Sequence, residues 1–445
     1  MHTPRTTETE RIDPQELREA WWVLSSEERL AGFRLLPPEE AEEFFFDLGA
    51  ADQHELIAAL TPAERRLWLR LLAPDDAADV MQEAEPDERP ALLNLLDDAT
   101  RKEVTALLAY AEDEAGGLMS SRFARVRPDM TVDAAIAYLR RQAISSIEPE
   151  TIYYVYVLDS AQRLKGVISF RDLFSAPSGK LVEDVMNTDV VAVPDDMDQE
   201  AVARLFAEHD LLAIPVIDAS GVLKGIVTVD DIVDVVEEEA TEDIQKYGGM
   251  EALEEPYLRI GFVSLVRKRA GWLILLFFAQ LVTAAVLQGY EDTISSLAFL
   301  AIFMPLIISS GGNSGSQAST LVIRAMAVGE VRLRDWWRVA RREFAAGLAL
   351  GGILGALGLG RIFVAHWIGV DAFAVDAAAL AFTISLSLVA VAVIGTMVGS
   401  MLPFLLQLAR LDPASASAPL VATVSDVTGI LVYFSLATAL LRVVL

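Results

Sequence analysis

The pattern of apolar and polar positions changes character near residue 270. Before it, short apolar stretches alternate with acidic, Pro-containing breaks; beyond it, apolar runs become long enough to cross a bilayer, which takes roughly 20 residues. In residues 12 to 112 the breaks are Leu36-Pro37-Pro38-Glu39-Glu40, Thr61-Pro62-Ala63-Glu64, Ala73-Pro74-Asp75-Asp76 and Glu85-Pro86-Asp87-Glu88. Pro lacks an N–H that would go unpaired in a first helical turn, and carboxylates suit the helix dipole there, so the spacing predicts a stack of short helices.

Residues 118 to 240 repeat internally. Leu118-Met119 aligns with Val185-Met186, Arg127-Pro128-Asp129-Met130 with Pro194-Asp195-Asp196-Met197, and Leu164-Lys165-Gly166-Val167-Ile168-Ser169 with Leu223-Lys224-Gly225-Ile226-Val227-Thr228. The first copy carries extra residues around Ser146 to Tyr153. Each copy reads helix, strand, turn, strand, helix, because β-branched runs are joined by a polar turn. This tandem pattern resembles the cystathionine-β-synthase (CBS) domain pair. The resemblance implies a regulatory module in which Ser169 with Asp172, and Thr228 with Asp231, contact the ribose of an adenine nucleotide such as ATP; the same residues also suit plain helix capping. From Ile232 to Ile260 an acidic helix pattern follows, with Glu239, Glu242 and Asp243 among its carboxylates, and Arg267-Lys268-Arg269 stand before the first long apolar run.

Five segments qualify as spans: about 271 to 289, 294 to 328, 343 to 367, 377 to 408 and 414 to 441. The fold class expected is therefore multidomain: an all-α N-terminal domain (1–117), an α/β tandem CBS pair (118–179 and 180–240), a connecting helix (241–268) and an all-α transmembrane domain of five helices (269–445). Basic residues gather on the cytoplasmic side of membranes. Arg332, Arg334, Arg338, Arg341, Arg342 and Arg410 fall in alternate loops, whereas Glu291, Asp292, Asp371 and Asp376 fall in the others. The expectation is a multi-pass protein of the cell inner (plasma) membrane with cytoplasmic N-terminal domains and an outer C-terminus. Arg361 and Arg442 lie near outer ends, where snorkelling accommodates them. The first residues, MHTPRTTETE, lack the apolar core of a secretory signal, which agrees with a cytoplasmic N-terminal part.

Charge sharpens the division. Residues 1 to 270 hold 27 Lys/Arg and 55 Asp/Glu, and the remainder holds nine of each, so the net charge of −28 belongs to the first part. Nucleic acid is excluded as a partner by such a surface. There is no cysteine and there are four histidines, so bound metal must be held mainly by oxygen, which favours hard cations such as magnesium, calcium or manganese. The same scarcity leaves no evident nucleophile and base pairing, and no GxxxxGK[ST] loop is present, which argues against an enzyme and against nucleotide-driven pumping.

Two polar features interrupt the apolar spans. Segment two carries Pro305 and then Gly311-Gly312-Asn313-Ser314-Gly315-Ser316-Gln317. Glycines and Pro weaken a helix, and freed carbonyls at membrane depth belong where they line a wet cavity, so Gly312, Asn313, Gly315 and Gln317 are candidate pore-lining residues; a packing kink is the other reading. Segment five carries Asp426 within Thr423-Val424-Ser425-Asp426-Val427-Thr428-Gly429. An isolated carboxylate in lipid costs at least ~2.5 kcal/mol, so a cation, a proton relay or a hydrogen-bonded partner must meet it. Thr423, one turn earlier, joins it as a candidate. Gly347, Gly351 and Gly355 in segment three read as helix packing.

The whole layout resembles the MgtE family of magnesium transporters, which function as channels. Pro305 with Gly311 to Gln317, Thr320 and Arg324, and Asp412-Pro413 through Pro419 to Asp426 and Gly429, carry the resemblance most specifically. It implies a homodimer in the lipid bilayer with one central pore, where Asp426 of each subunit holds a largely hydrated Mg²⁺. It also implies that cytoplasmic Mg²⁺ bound among Asp75, Asp76, Asp79, Asp198, Glu200, Asp210, Asp231, Asp234, Glu239, Glu242 and Asp243 holds the channel shut. An ion-coupled metal carrier and a membrane-anchored regulatory protein without transport are the alternatives.

Overall fold

The computed structural model describes residues 12–143, 151, 153–253, 256–297, 299–368 and 377–441. Most of the expected insertion around Ser146, the loop residues Asp371 and Asp376, and Arg442 lie outside the described residues. The chain divides into two compact units, one ending at Glu238 and the other beginning at Glu239.

In the first unit, residues 14–107 form α1 (Pro14–Ala20), α2 (Ser26–Phe33), α3 (Pro38–Phe46), α4 (Ala50–Ala59), α5 (Pro62–Leu71), α6 (Pro74–Gln82), α7 (Arg89–Leu93) and α8 (Asp98–Leu107). Pro38, Pro62 and Pro74 open their helices as the breaks imply. Ser25 with Glu28 and Thr61 with Glu64 close reciprocal capping boxes, pairing donors that a helix end otherwise leaves bare. Pro86 does not open a helix: α7 begins at Arg89 and takes Pro90 into its first turn instead.

The repeat follows as α9 (Ala115–Leu118), β1 (Arg125–Val126), α10 (Val132–Ala143), β2 (Tyr154–Leu158), β3 (Leu164–Ser169) and α11 (Phe170–Ser175), then β4 (Val193–Pro194), α12 (Gln199–His209), β5 (Ala213–Ile217), β6 (Leu223–Thr228) and α13 (Val229–Tyr247). Each copy builds a three-stranded sheet, ordered β1-β2-β3 and β4-β5-β6, with a short parallel strand beside an antiparallel pair. The copies exchange edges. Ser120, leading the first copy, bridges to Ile226 on β6, while Asn187, leading the second, bridges to Val167 on β3. Gly166 and Gly225 make the exchange possible, since a Cβ there would lie 2.7 Å from the Asn187 carbonyl oxygen and 2.6 Å from that of Ser120. The second copy also shares one apolar core with the N-terminal helices, including Leu17, Phe45, Met81, Val104, Val193, Ile214 and Val235.

α13 ends at Tyr247 and does not run on to Ile260 as the acidic pattern suggested. Gly248-Gly249 stops it, with Gly249 at φ +78°, a conformation that favours glycine. The second unit continues through α14 (Phe262–Gly289), α15 (Glu291–Ser296), α16 (Leu300–Ala327), α17 (Trp336–Trp367), α18 (Ala377–Leu408) and α19 (Ala418–Leu441). α14, α17, α18 and α19 are long and apolar enough to cross a membrane; α16, of 28 residues, carries the polar stretch. α16, α18 and α19 pack together around Ile307, Ile384, Leu388, Val391, Ile430 and Phe434. Gly347, Gly351 and Gly355 bring α17 onto α18, their absent Cβ atoms falling 2.5 to 2.8 Å from Thr396, Val389 and Ser385.

α14 and α19 run parallel. Trp272 Nε1 donates to Ser417 Oγ at 3.0 Å at one end, and the Tyr290 and Ser435 hydroxyls meet at 3.0 Å at the other, with Tyr290 stacked on Phe434. A constant offset of 145 residues between partners at both ends is possible only for helices pointing the same way.

Candidate functional site: a membrane carboxylate and an acidic cluster

α16 stays helical through Gly311 to Gln317, so no backbone carbonyl is freed there, contrary to the sequence expectation. The glycines serve contact instead. Gly311 and Gly315 cross Gly395 and Gly399 of α18 so closely that a Cβ on Gly395 would lie 2.3 Å from the Gly311 carbonyl oxygen, and one on Gly399 would lie 1.9 Å from that of Gly315. Gly315 is thus a packing position, wedged against α18, Val421 and Ser425. The α18 half of this crossing was missed in the sequence, where Gly395 and Gly399 sit in an unbroken apolar run.

Gly312 faces a different neighbour. A Cβ there would lie 3.5 Å from Ala422 Cβ and 3.9 Å from Asp426 Oδ1, so the bare backbone of α16 borders the carboxylate. Asp426 itself is half-buried on α19. Thr423 is half-buried and donates its hydroxyl to the Pro419 carbonyl. Ser309, Asn313, Gln317 and Thr320 are all exposed on α16. Spaced by three or four residues, they form one polar face along the helix, and Asn313 Nδ2 donates to Ser309 Oγ at 3.3 Å. A polar face on a helix of a membrane bundle must meet water or protein rather than hydrocarbon.

At one end of this bundle the tail of α13 is fastened to α16 and to the turn before α19. Lys246 Nζ donates to Asp412 Oδ2 at 2.7 Å and also pairs with Glu242. Burial alone would lower the Lys246 pKa, yet its bonds to Asp412 and Glu242 push it up, so the ammonium is held charged. Tyr247 Oη donates to the Ser316 carbonyl at 2.8 Å and accepts from Thr320 Oγ1 at 2.6 Å. Sequence reading missed Lys246 and Tyr247; a lone cation within an acidic helix was the available signal.

In the first unit, α6 presents Asp75, Asp76 and Asp79, and the start of α13 presents Asp231 and Asp234. The Asp75 carboxyl is pushed up to about 6, mainly by burial and then by Asp76. Asp231 also rises to about 6, chiefly by burial, although its bond with Thr228 opposes the rise. Asp79 rises to about 8 although its side chain reaches solvent, because surrounding protein displaces water and Asp75, Asp76, Asp231 and Glu112 repel its charge. Asp76 is raised by burial and by Asp231, and Asp234 by burial and Glu237. Buried Asp75 Oδ1 has no hydrogen-bond partner, a costly arrangement that a cation would relieve. Among the described residues no three such side chains are already gathered as a metal cage.

The remaining candidates are dispersed. Asp198 caps α12, accepting from the Ala201 N–H at 3.2 Å, Glu200 pairs with Arg204 at 3.7 Å, and Asp210 ends α12 in the left-handed region at φ 51°. Glu239, Glu242 and Asp243 lie on the part of α13 that belongs to the second unit. Ser169 Oγ accepts from the Asp172 N–H at 3.0 Å and caps α11, and Asp231 Oδ2 accepts from the Thr228 N–H at 3.2 Å at the start of α13. Both hydroxyls donate to the paired carboxylates at 2.6 Å, so each pair closes the start of its helix.

Comparison with known proteins agrees with this architecture. The families described as MgtE intracellular N domain, CBS domain, and MgtE divalent cation transporter match residues 12–113, 115–179 with 182–238, and 304–436 respectively. Among curated proteins, the magnesium transporter MgtE of Thermus thermophilus is 44% identical over 98% of this chain and 94% of its own length. That of Bacillus subtilis is 34% identical over 83% of this chain and 78% of its own. A crystal structure of the cytosolic domain of the Mg²⁺ channel MgtE in complex with ATP is 45% identical, with a TM-score of 0.47, over 51% of this chain and 92% of that one. The chain belongs to the MgtE family of magnesium transporters, a non-enzymatic class of membrane protein.

Proposed function

We propose that this chain forms a Mg²⁺-selective channel, assembled as a homodimer and closed by cytoplasmic Mg²⁺. The observation that carries the reading is Asp426 beside the bare Gly312 backbone, on a bundle whose α16 turns Ser309, Asn313, Gln317 and Thr320 outward. Mg²⁺ dehydrates reluctantly, so a carboxylate flanked by amides and hydroxyls suits an ion that keeps its waters. A second copy facing the same polar stripe would enclose a wet path and supply a second Asp426. The parallel course of α14 and α19 supports an odd number of crossings, with the acidic domains cytoplasmic and the C-terminus outside.

The sensor in this reading comprises the N-terminal domain (1–117), the CBS copies (118–179, 180–240) and the connecting segment (241–268). Asp75, Asp76, Asp79, Asp198, Glu200, Asp210, Asp231, Asp234, Glu239, Glu242 and Asp243 would hold the regulatory ions. Without metal their like charges repel; with metal the repulsion is neutralised and one arrangement is favoured. The tail of α13, tied through Lys246 and Tyr247 to Asp412, Ser316 and Thr320, is the element through which that bias would reach the pore. Adenine nucleotide would bind the CBS pair near Ser169–Asp172 and Thr228–Asp231, tuning the same equilibrium.

The test is Mg²⁺ flux into proteoliposomes holding the wild type or Asp426→Asn, at low and high Mg²⁺ on the cytoplasmic face. Flux present in the wild type, lost in the variant and suppressed by cytoplasmic Mg²⁺ is expected. Equal flux in both proteins would remove Asp426 from the pathway, and flux indifferent to cytoplasmic Mg²⁺ would remove the sensor.

A further inference from the structure

Between the two end contacts of α14 and α19 lies a third polar contact, at the middle of both helices. The Gln280 side chain of α14 approaches the Asp426 carboxylate there. Its offset of 146 matches the 145 of Trp272–Ser417 and Tyr290–Ser435, so the pairing belongs to one continuous parallel register about 27 Å long. The two end contacts alone therefore place Gln280 beside Asp426 on the neighbouring helix. Thr283, 6% exposed, donates its hydroxyl to Gln280 Oε1 at 3.4 Å. With the amide oxygen engaged by Thr283, the amide nitrogen, a donor, is the group left to meet Asp426. Neither residue is needed for helix formation, and an amide at mid-span is expensive unless it has work to do.

We infer that Gln280 is a positioning residue for the ion-binding carboxylate: its amide, oriented by Thr283, holds Asp426 in the rotamer that meets the permeating hydrated Mg²⁺. The inference rests on Asp426 lining the pathway and deepens that reading. Ligating carboxylates are generally steadied by such partners, whose loss weakens metal affinity by about 10- to 100-fold. The amide is neutral, so it orients the carboxylate without adding charge that would slow the ion's departure. Gln280 is exposed and Asp426 half-buried, so the pair is not sealed inside one copy of the bundle.

The experiment is Mg²⁺ flux into proteoliposomes as a function of Mg²⁺ concentration, for the full-length wild type, Gln280→Leu, Gln280→Glu, Thr283→Val and Asp426→Asn. Gln280→Leu should raise the half-saturating concentration by about tenfold with maximal flux close to wild type. Gln280→Glu, which has the same length but adds charge, should lower both the half-saturating concentration and the maximal flux. A merely structural role would not move the half-saturating concentration in opposite directions in the two variants. Thr283→Val, which leaves the amide but frees it to turn, should shift the half-saturating concentration in the direction of the Leu variant by a smaller factor, and it decides the matter if Gln280→Leu fails to reconstitute. Leu and Val variants that titrate like wild type, while Asp426→Asn is silent, would overturn the positioning role alone. Asp426→Asn conducting normally would overturn the pathway assignment and this inference together.

Discussion

Lys246 of α13 lies 2.7 Å from Asp412, the residue that also caps the turn before α19 by accepting from the Ala414 N–H at 2.8 Å. One carboxylate thus serves both the local turn and the tail of the connecting helix. Lys246→Met should loosen the tail without disturbing the turn, so Mg²⁺ flux at high cytoplasmic Mg²⁺ should rise while flux at low Mg²⁺ stays unchanged. A double-mutant cycle with Asp412→Asn, read by thermal unfolding, should return a coupling of about 1 kcal/mol, since both side chains retain solvent contact. Additive effects, with closure intact, would mean that the pair is not part of the gate.

The raised carboxyls of Asp75, Asp79 and Asp231 make a pH dependence of definite sign. In the folded protein these groups hold protons up to about pH 6 to 8, whereas in the unfolded chain they release them near 4. The native state therefore binds more protons between those limits, and its stability falls as pH rises through that window. In Mg²⁺-free buffer the melting temperature should drop from pH 5 to pH 8.5, and Asp79→Asn should flatten the slope. Mg²⁺ should restore stability most at the alkaline end. A melting temperature that rises over this range would contradict the assignment.

Binding of Mg²⁺ to the same cluster must displace those protons. Titration calorimetry near pH 7 in two buffers of different ionisation enthalpy should reveal net proton release, shrinking in Asp79→Asn. Equal heats in the two buffers would mean that the regulatory ions bind elsewhere.

The two kinds of glycine on the pore bundle should respond differently to a methyl group. Gly399→Ala drives a carbon to 1.9 Å from the Gly315 carbonyl oxygen, and backbone cannot yield that far without separating α16 from α18. A loss of about 3 kcal/mol or failure to assemble is expected. Gly312→Ala meets Ala422 at an ordinary 3.5 Å, so its stability should hold while conduction falls, because the methyl occupies space beside Asp426. Thermal unfolding and flux on the same preparations separate the two outcomes.

Ser169→Ala should cost about 1 kcal/mol through loss of the α11 cap alone. If adenine nucleotide binds at this copy, Asp172→Ala should weaken it further than the cap loss explains, as measured by the nucleotide-induced shift in melting temperature. An unchanged shift would leave both residues as caps.

Much of this protein was legible in its sequence, because the strongest signals are local. The length of the apolar runs, Pro at the starts of α3, α5 and α6, the doubled strand pairs at β2–β3 and β5–β6, and an aspartate inside an apolar span each follow from the chemistry of a few neighbouring residues. What the tertiary structure decided are relationships between residues far apart in the chain. Gly311 to Gln317 looked like broken helix, yet α18 supplies glycines at Gly395 and Gly399 that let α16 stay intact and pack closely. The exchange of Ser120 and Asn187 between repeats, the Lys246–Asp412 tie and the approach of Gln280 to Asp426 span from about 20 to 166 residues. Periodicity and propensity carry no information about such pairs, because they are set by which helix faces another once the apolar surfaces have been buried.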